Sequence, residues 1–103
     1  MAMKVDSDVK LDLMPMEGEG TEGYIARLRD LHHAKSLAHI EAKRTLATAR
    51  TELAATSRRS AHPEEYREAH EVVMKASRAV GKARYEMESV EFALSEVFHV
   101  VNR

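Results

Sequence analysis

The chain has 103 residues, a net charge of −1, no Cys and no Trp. This length allows one domain, the lack of Cys excludes disulfides and thiolate metal sites, and the near-zero net charge argues against a dedicated nucleic-acid or membrane binder. No apolar run approaches the length of a membrane span, and the first residues lack the basic start and apolar core of a signal peptide, so we expect a cytoplasmic protein.

Residues 1–20 form an N-terminal arm that differs from the rest of the chain. Apolar and polar side chains alternate in its middle, as in a short half-buried strand: Val9-Lys10-Leu11-Asp12-Leu13. Residues 17–20 contain two Gly and interrupt any regular structure. Terminal segments are often flexible, but a segment as apolar as residues 9–14 is also typical of an arm that docks. Both alternatives remain open at this stage.

Residues 21–59 are predicted to form the first helix. Thr21 is an acceptable N-cap, and Glu22 suits the first turn because a carboxylate there opposes the helix dipole. Apolar residues recur with a period near 3.6 and define the face that we expect to be buried. These residues are Tyr24, Leu28, Leu31, Ala34, Ala38, Ala42, Leu46, Ala49 and Leu53.

Residues 63–102 are predicted to form the second helix, which begins at Pro63. Apolar residues occupy every position of a strict three–four spacing, the pattern of a coiled coil. They are Tyr66, Ala69, Val73, Ala76, Val80, Ala83, Met87, Val90, Leu94, Val97 and Val101. Because the connection between the helices is short, we expect an all-α fold in which residues 21–103 form a long antiparallel two-helix hairpin.

We call the apolar stripe by which each helix is predicted to contact the other the seam. A second apolar pattern lies outside the seam of each helix. Tyr85 and Phe92 are one heptad apart on the second helix, and Leu37 and Ile40 lie at a comparable height on the first. Two coincident outer stripes indicate a second buried surface, covered by a partner chain or by the docked arm. Because a lone hairpin buries little area, we expect a homo-oligomer, most simply a dimer that forms a four-helix bundle.

Basic residues suggest an alternative function. Lys75, Arg78 and Lys82 share a face of the second helix, while Lys43 and Arg44 come at a similar height on the first. This cluster makes a nucleic-acid-associated protein a competing hypothesis. Acidic residues lie close to these cations in the sequence, and the net charge of the chain is not positive. The simpler interpretation is therefore a solvated face with ordinary ion pairs.

Two His–carboxylate pairs raise a second alternative, a metal-binding four-helix protein. Asp30 and His33 are three residues apart, as are Glu96 and His99, and an antiparallel hairpin brings the two pairs to one end. The pairs lie off the seam, however, so we predict no metal or cofactor. No Ser/His/Asp arrangement or glycine-rich phosphate loop is recognisable, and we therefore expect no enzymatic activity.

These patterns favour a non-enzymatic protein–protein interaction module, such as an adaptor, a small chaperone or an assembly factor. The secreted helical-hairpin proteins that carry a Trp-x-Gly turn are similar in size. Residues 58–63 lack that motif, so the sequence assigns the chain to no family and leaves the protein partner unnamed.

Overall fold

The computed structural model describes residues 13–59 and 62–101, and two long helices account for most of them. Helix α1 spans Gly20–Arg59 and helix α2 spans Pro63–Val101, within one residue of the predicted bounds. These ranges contain no strand, so the all-α hairpin is confirmed. Positions 9 and 11 of the predicted strand lie outside the described residues. Neither helix within these ranges carries an apolar stretch long enough to cross a membrane.

The ends of both helices follow from local chemistry. Pro63 takes the first position of α2, where its missing N–H removes no helical hydrogen bond, and the backbone N–H of Tyr66 donates to the carbonyl of His62. Acidic residues occupy the first turn of each helix, and His99 lies in the last turn of α2. At a rise of 1.5 Å per residue, each helix is about 60 Å long.

The core consists of two separate clusters along the seam. The open-end cluster comprises Tyr24, Leu28 and Val90, against which half-buried apolar residues pack: Leu13, Leu31, Ala93, Leu94 and Val97. The turn-side cluster comprises Leu46, Ala49 and Ala76, flanked by Val73 and Val80. Only Leu28 and Val90 are fully buried among the large side chains that the structure describes. These contacts show that the helices run antiparallel, and that the hairpin has a small core.

The buried positions of α2 confirm its predicted seam, whereas those of α1 differ from the predicted seam. On α2, the predicted positions from Ala69 to Val97 are all buried or half-buried, although Tyr66 is exposed. On α1, Ala34 and Ala38 are exposed, so their assignment to the seam is wrong. From Leu28 to Thr56, one set of buried and half-buried positions instead keeps the 3.5-residue repeat that a coiled-coil seam requires, and Leu31, Ser36 and Ala55 are half-buried beside it. The set comprises Leu28, His32, Lys35, His39, Ala42, Leu46, Ala49, Leu53 and Thr56.

Candidate functional site

Two aromatic residues on α2 are the most exposed large hydrophobic side chains among the described side chains of the two helices. Tyr85 is 70% exposed and Phe92 is 68% exposed. Each lies two positions after a seam residue, Ala83 or Val90, and two positions correspond to about 200° around a helix of 3.6 residues per turn. Both rings therefore project from the side of α2 that faces away from α1. We call this pair the aromatic edge.

The predicted interface residues of α1 lie on the opposite side of the hairpin. Leu37 is 53% exposed and Ile40 is 43% exposed. Leu37 comes two positions after the seam residue Lys35, so it projects away from α2 by the same argument. We call Leu37 and Ile40 the aliphatic edge. Leu37 lies at about the level of Tyr85, since Lys35 contacts Glu86, and Phe92 lies about 10 Å nearer the open end. The hairpin separates the two edges, so one flat contact surface cannot cover both.

The end of the N-terminal arm docks against the open end of the hairpin. Leu13 packs on the open-end cluster, and its carbonyl accepts a hydrogen bond from the Tyr24 hydroxyl. The Arg27 guanidinium donates to the carbonyl of Met14 at 2.6 Å and to the Glu19 carboxylate at 2.6 and 3.3 Å. We call these contacts of residues 13–19 with Tyr24 and Arg27 the latch.

A tight turn shapes the latch. The Glu19 backbone N–H donates to the carbonyl of Met16 at 3.0 Å, and Gly18 holds a φ of 79°, which a type II turn requires at its third position. The Met16 N–H in turn donates to a Glu19 carboxylate oxygen at 2.9 Å. The hydrogen bond from Arg27, followed by the one from Met16, lowers the pKa of Glu19 below its ordinary value of 4.5.

Two polar contacts cross the hairpin, one between the two apolar clusters and one beside Leu31 and Val90 of the open-end cluster. The Lys35 ammonium donates to Glu86 at 2.9 Å, with 24% and 15% of the two side chains exposed. His32 Nε2 lies 2.9 Å from Glu91 Oε2, in a more exposed position. Sequence reasoning missed both pairs because it followed the apolar residues of α1. Counting the three–four spacing forward from Leu28 reaches His32 and Lys35 directly.

The five basic residues proposed from the sequence do not form one patch. Lys75 and Arg78 line an open groove together with Glu68 and Glu71. Lys82, one heptad after Lys75, falls on the same flank of α2. Arg44 lies 3.6 Å from Glu41 on α1, and these two residues line a groove on that same side of the hairpin. Lys43 lies on the opposite side, because it comes two heptads after Arg29, which contacts the Phe98 ring on that flank.

The His–carboxylate pairs considered as metal ligands remain on the surface. Asp30, His33, Glu96 and His99 are all exposed. Within residues 13–59 and 62–101, no three His, Cys, Asp or Glu side chains come together in an arrangement that could hold a metal ion. The structure thus brings no metal-ligand set together in this part of the chain.

Comparison of the chain with protein-family models, curated proteins and solved structures finds no match.

Proposed function

We propose that this chain is a non-enzymatic protein–protein interaction module that acts as a homo-oligomer, most simply a dimer. The aromatic edge is the observation that carries the proposal, since Tyr85 and Phe92 expose about two thirds of their surface on an otherwise regular helix. Aromatic side chains dominate the energetics of protein interfaces, where their burial contributes more per residue than that of most other types.

The small core supports the same proposal. Two fully buried large side chains in the described ranges are few for helices of 40 and 39 residues. A hairpin of this kind removes little apolar surface from water, and association is the usual way to bury more. If two copies associate through the aromatic edge, four aromatic rings are removed from water, and the dimer gains an apolar interface in addition to the seam of each hairpin.

The separation of the two edges supports a dimer that is built on α2 alone. A two-fold axis beside the aromatic edge places α2 of one copy against α2 of the other, which gives a closed dimer of four helices. Such a dimer leaves Leu37 and Ile40 uncovered on its outer sides. We propose that this aliphatic edge receives a different protein, which would make the dimer an adaptor, a small chaperone or an assembly factor.

Light scattering of the parent and of Phe92→Glu tests the dimer. We expect the parent to have twice the mass of one chain, and Phe92→Glu to have the mass of one chain while it keeps much of its helical circular dichroism. A new carboxylate in an apolar contact is costly, whereas on an exposed helix surface it costs little.

Val72→Glu is the matched control, because Val72 is 53% exposed but lies on neither edge. It should leave the dimer intact. A parent with the mass of one chain would overturn the homo-oligomer, and a Phe92→Glu protein that stays dimeric would move the interface to another face.

Localisation in the cytoplasm stays a prediction from the sequence, which fluorescence microscopy of a tagged chain would check.

A further inference from the structure

One flat face of the hairpin can be identified from a single contact between the helices. The guanidinium carbon of Arg29 lies 5.5 Å from the ring centroid of Phe98, so these residues flank the seam on the same side. Residues seven apart stay on one flank of a coiled-coil helix. Steps of seven from Arg29 reach Lys43 and Arg50, and steps of seven back from Phe98 pass Glu91, which pairs with His32, and then reach Arg84, Ser77 and His70.

This face carries unpaired positive charge. We define the basic face by Lys43 and Arg50 on α1, with Arg84 and Arg67 on α2, where Arg67 precedes His70 by three residues. All four side chains are exposed, and none of them has an ion pair with another described residue. No Asp or Glu occupies the flank of α1 from Ser36 to Ser57 or that of α2 from Arg67 to Arg84, whereas Glu88 and Glu91 follow Arg84 toward the open end. The remaining positions are Ser36, Ile40 of the aliphatic edge, Ala47, Ala54, Ser57, His70, Met74, Ser77 and Gly81.

The opposite face of the hairpin carries charges of both signs, because Arg44, Lys75 and Lys82 lie there beside carboxylates. Glu41, Glu52, Ala69 and Val72 line one groove, which places these flanks of α1 and α2 together. Glu68 borders Val72 in the adjoining groove, and Glu65 comes one heptad before Val72. A net charge of −1 for the whole chain thus does not exclude a local excess of cations on the basic face.

We infer that the basic face binds the phosphodiester backbone of a nucleic acid. Lys43 and Arg50 are about 10 Å apart along α1, and Arg67 and Arg84 are about 25 Å apart along α2, so the cations cover a length of several successive phosphates. Arginine presents a planar fork of donors that suits phosphate oxygens.

The side chains between the cations favour a nucleic acid over an acidic protein. They are mostly small, since Ser36, Ala47, Ala54, Ser77 and Gly81 let a backbone approach closely. The face holds no Tyr, Phe or Trp at its centre, whereas the centre of a protein interface usually does. The inference is independent of the proposed dimer, because the aromatic edge lies to the side of this face.

Fluorescence anisotropy of a labelled random duplex DNA, titrated with salt, tests the inference. Four phosphate contacts predict a slope of log K against log[salt] of about −3.6, which corresponds to about 150-fold weaker binding at 200 mM than at 50 mM salt. The double variant Arg50→Gln/Arg67→Gln should halve this slope to about −1.8. Lys75→Gln is the control, since Lys75 is exposed on the opposite face beside Glu68, and its slope should equal that of the parent.

Three results would overturn the inference. One is the absence of any anisotropy change at 50 mM salt. Another is an equal loss of slope in the Lys75→Gln protein and the double variant, which would mean that the basic face has no special part in binding. The third is displacement of the DNA by polyglutamate at an equal concentration of charge, which would assign the face to an acidic protein. Light scattering of each variant shows separately whether the dimer is intact.

Discussion

Lys35, a seam residue of α1, forms an ion pair of 2.9 Å with Glu86 on the edge of the α2 seam, between the open-end and turn-side clusters. Less than a quarter of either side chain is exposed, so both charges have lost much of their hydration. Removing one partner leaves the other charge half-buried and unpaired. Replacing both with apolar residues removes that penalty and lets the seam continue as an apolar stripe.

We therefore predict opposite outcomes for single and double substitutions at this pair. Lys35→Met alone and Glu86→Leu alone should each lower the free energy of unfolding by about 1–3 kcal/mol, whereas the double variant should be nearly neutral or stabilised. Urea unfolding of the four proteins completes the cycle. Additive effects of the two single substitutions would contradict a coupled pair.

The turn-side cluster should not tolerate a larger residue at Ala76, which is 6% exposed. Ala76→Leu is expected to overpack the seam and to cost about 1–3 kcal/mol in thermal melts. Ala79→Leu is the control, because Ala79 is exposed three positions later on the same helix and shares its helix propensity. Equal melting temperatures for the two variants would show that the helices are not closely packed at Ala76.

Gly81 should be replaceable with a gain in stability. A Cβ added there meets no atom within 4 Å, so Gly81→Ala should raise the free energy of unfolding by up to about 1 kcal/mol. Gly23→Ala should gain less, because its Cβ would lie 3.2 Å from Cγ of Glu19 and press on the latch. A destabilising effect of Gly81→Ala would mean that another chain packs closely on this glycine, because no atom of the same hairpin does. Light scattering would then show whether the substitution disrupts the assembly.

The latch should weaken in acid. Because Arg27 lowers the pKa of Glu19 in the folded chain, the stabilisation by Glu19 is complete above its unfolded pKa near 4.5 and is lost as the pH falls through the lower folded value. Glu19→Gln should therefore melt below the parent at pH 7, and the gap should narrow near pH 3. Glu22→Gln, an exposed carboxylate in the first turn of α1, provides the control. A gap that is the same at both pH values would contradict the latch.

The hairpin was predictable because the signals along α2 agree with one another. Pro63 marks its start, and nearly every seam position after it is apolar, so the three–four spacing has no competing interpretation. The seam of α1 was predicted only in part, since its repeat passes through Lys35 and His39 while Ala34 and Ala38 offer a false apolar continuation. A pattern of apolar residues does not identify a charged seam residue such as Lys35, which is half-buried because it pairs with the carboxylate of Glu86.

The sequence placed the surfaces less well because it compared the basic residues by their height along the hairpin and not by their flank. The predicted and observed seams of α1 share Ala42, Leu46 and Ala49, so Lys43 directly follows a seam residue in both. It therefore lies on the flank of Arg50 and Arg84, and not on that of Lys75 and Lys82. The latch was beyond pattern recognition for a different reason, since Glu19 and Arg27 are eight residues apart and meet only across a turn.

The position of the latch also determines how the hairpin responds to mechanical force. Leu13 and Val97 both pack on the open-end cluster, so the two ends of the described chain leave the hairpin side by side. Tension applied through both ends therefore peels α1 from α2 one contact at a time and does not shear the whole seam at once. The first contacts to carry that load are those of Leu13 with Tyr24 and of Glu19 with Arg27. A tether on residue 13 and another after residue 97 would thus probe the strength of the latch before that of the seam.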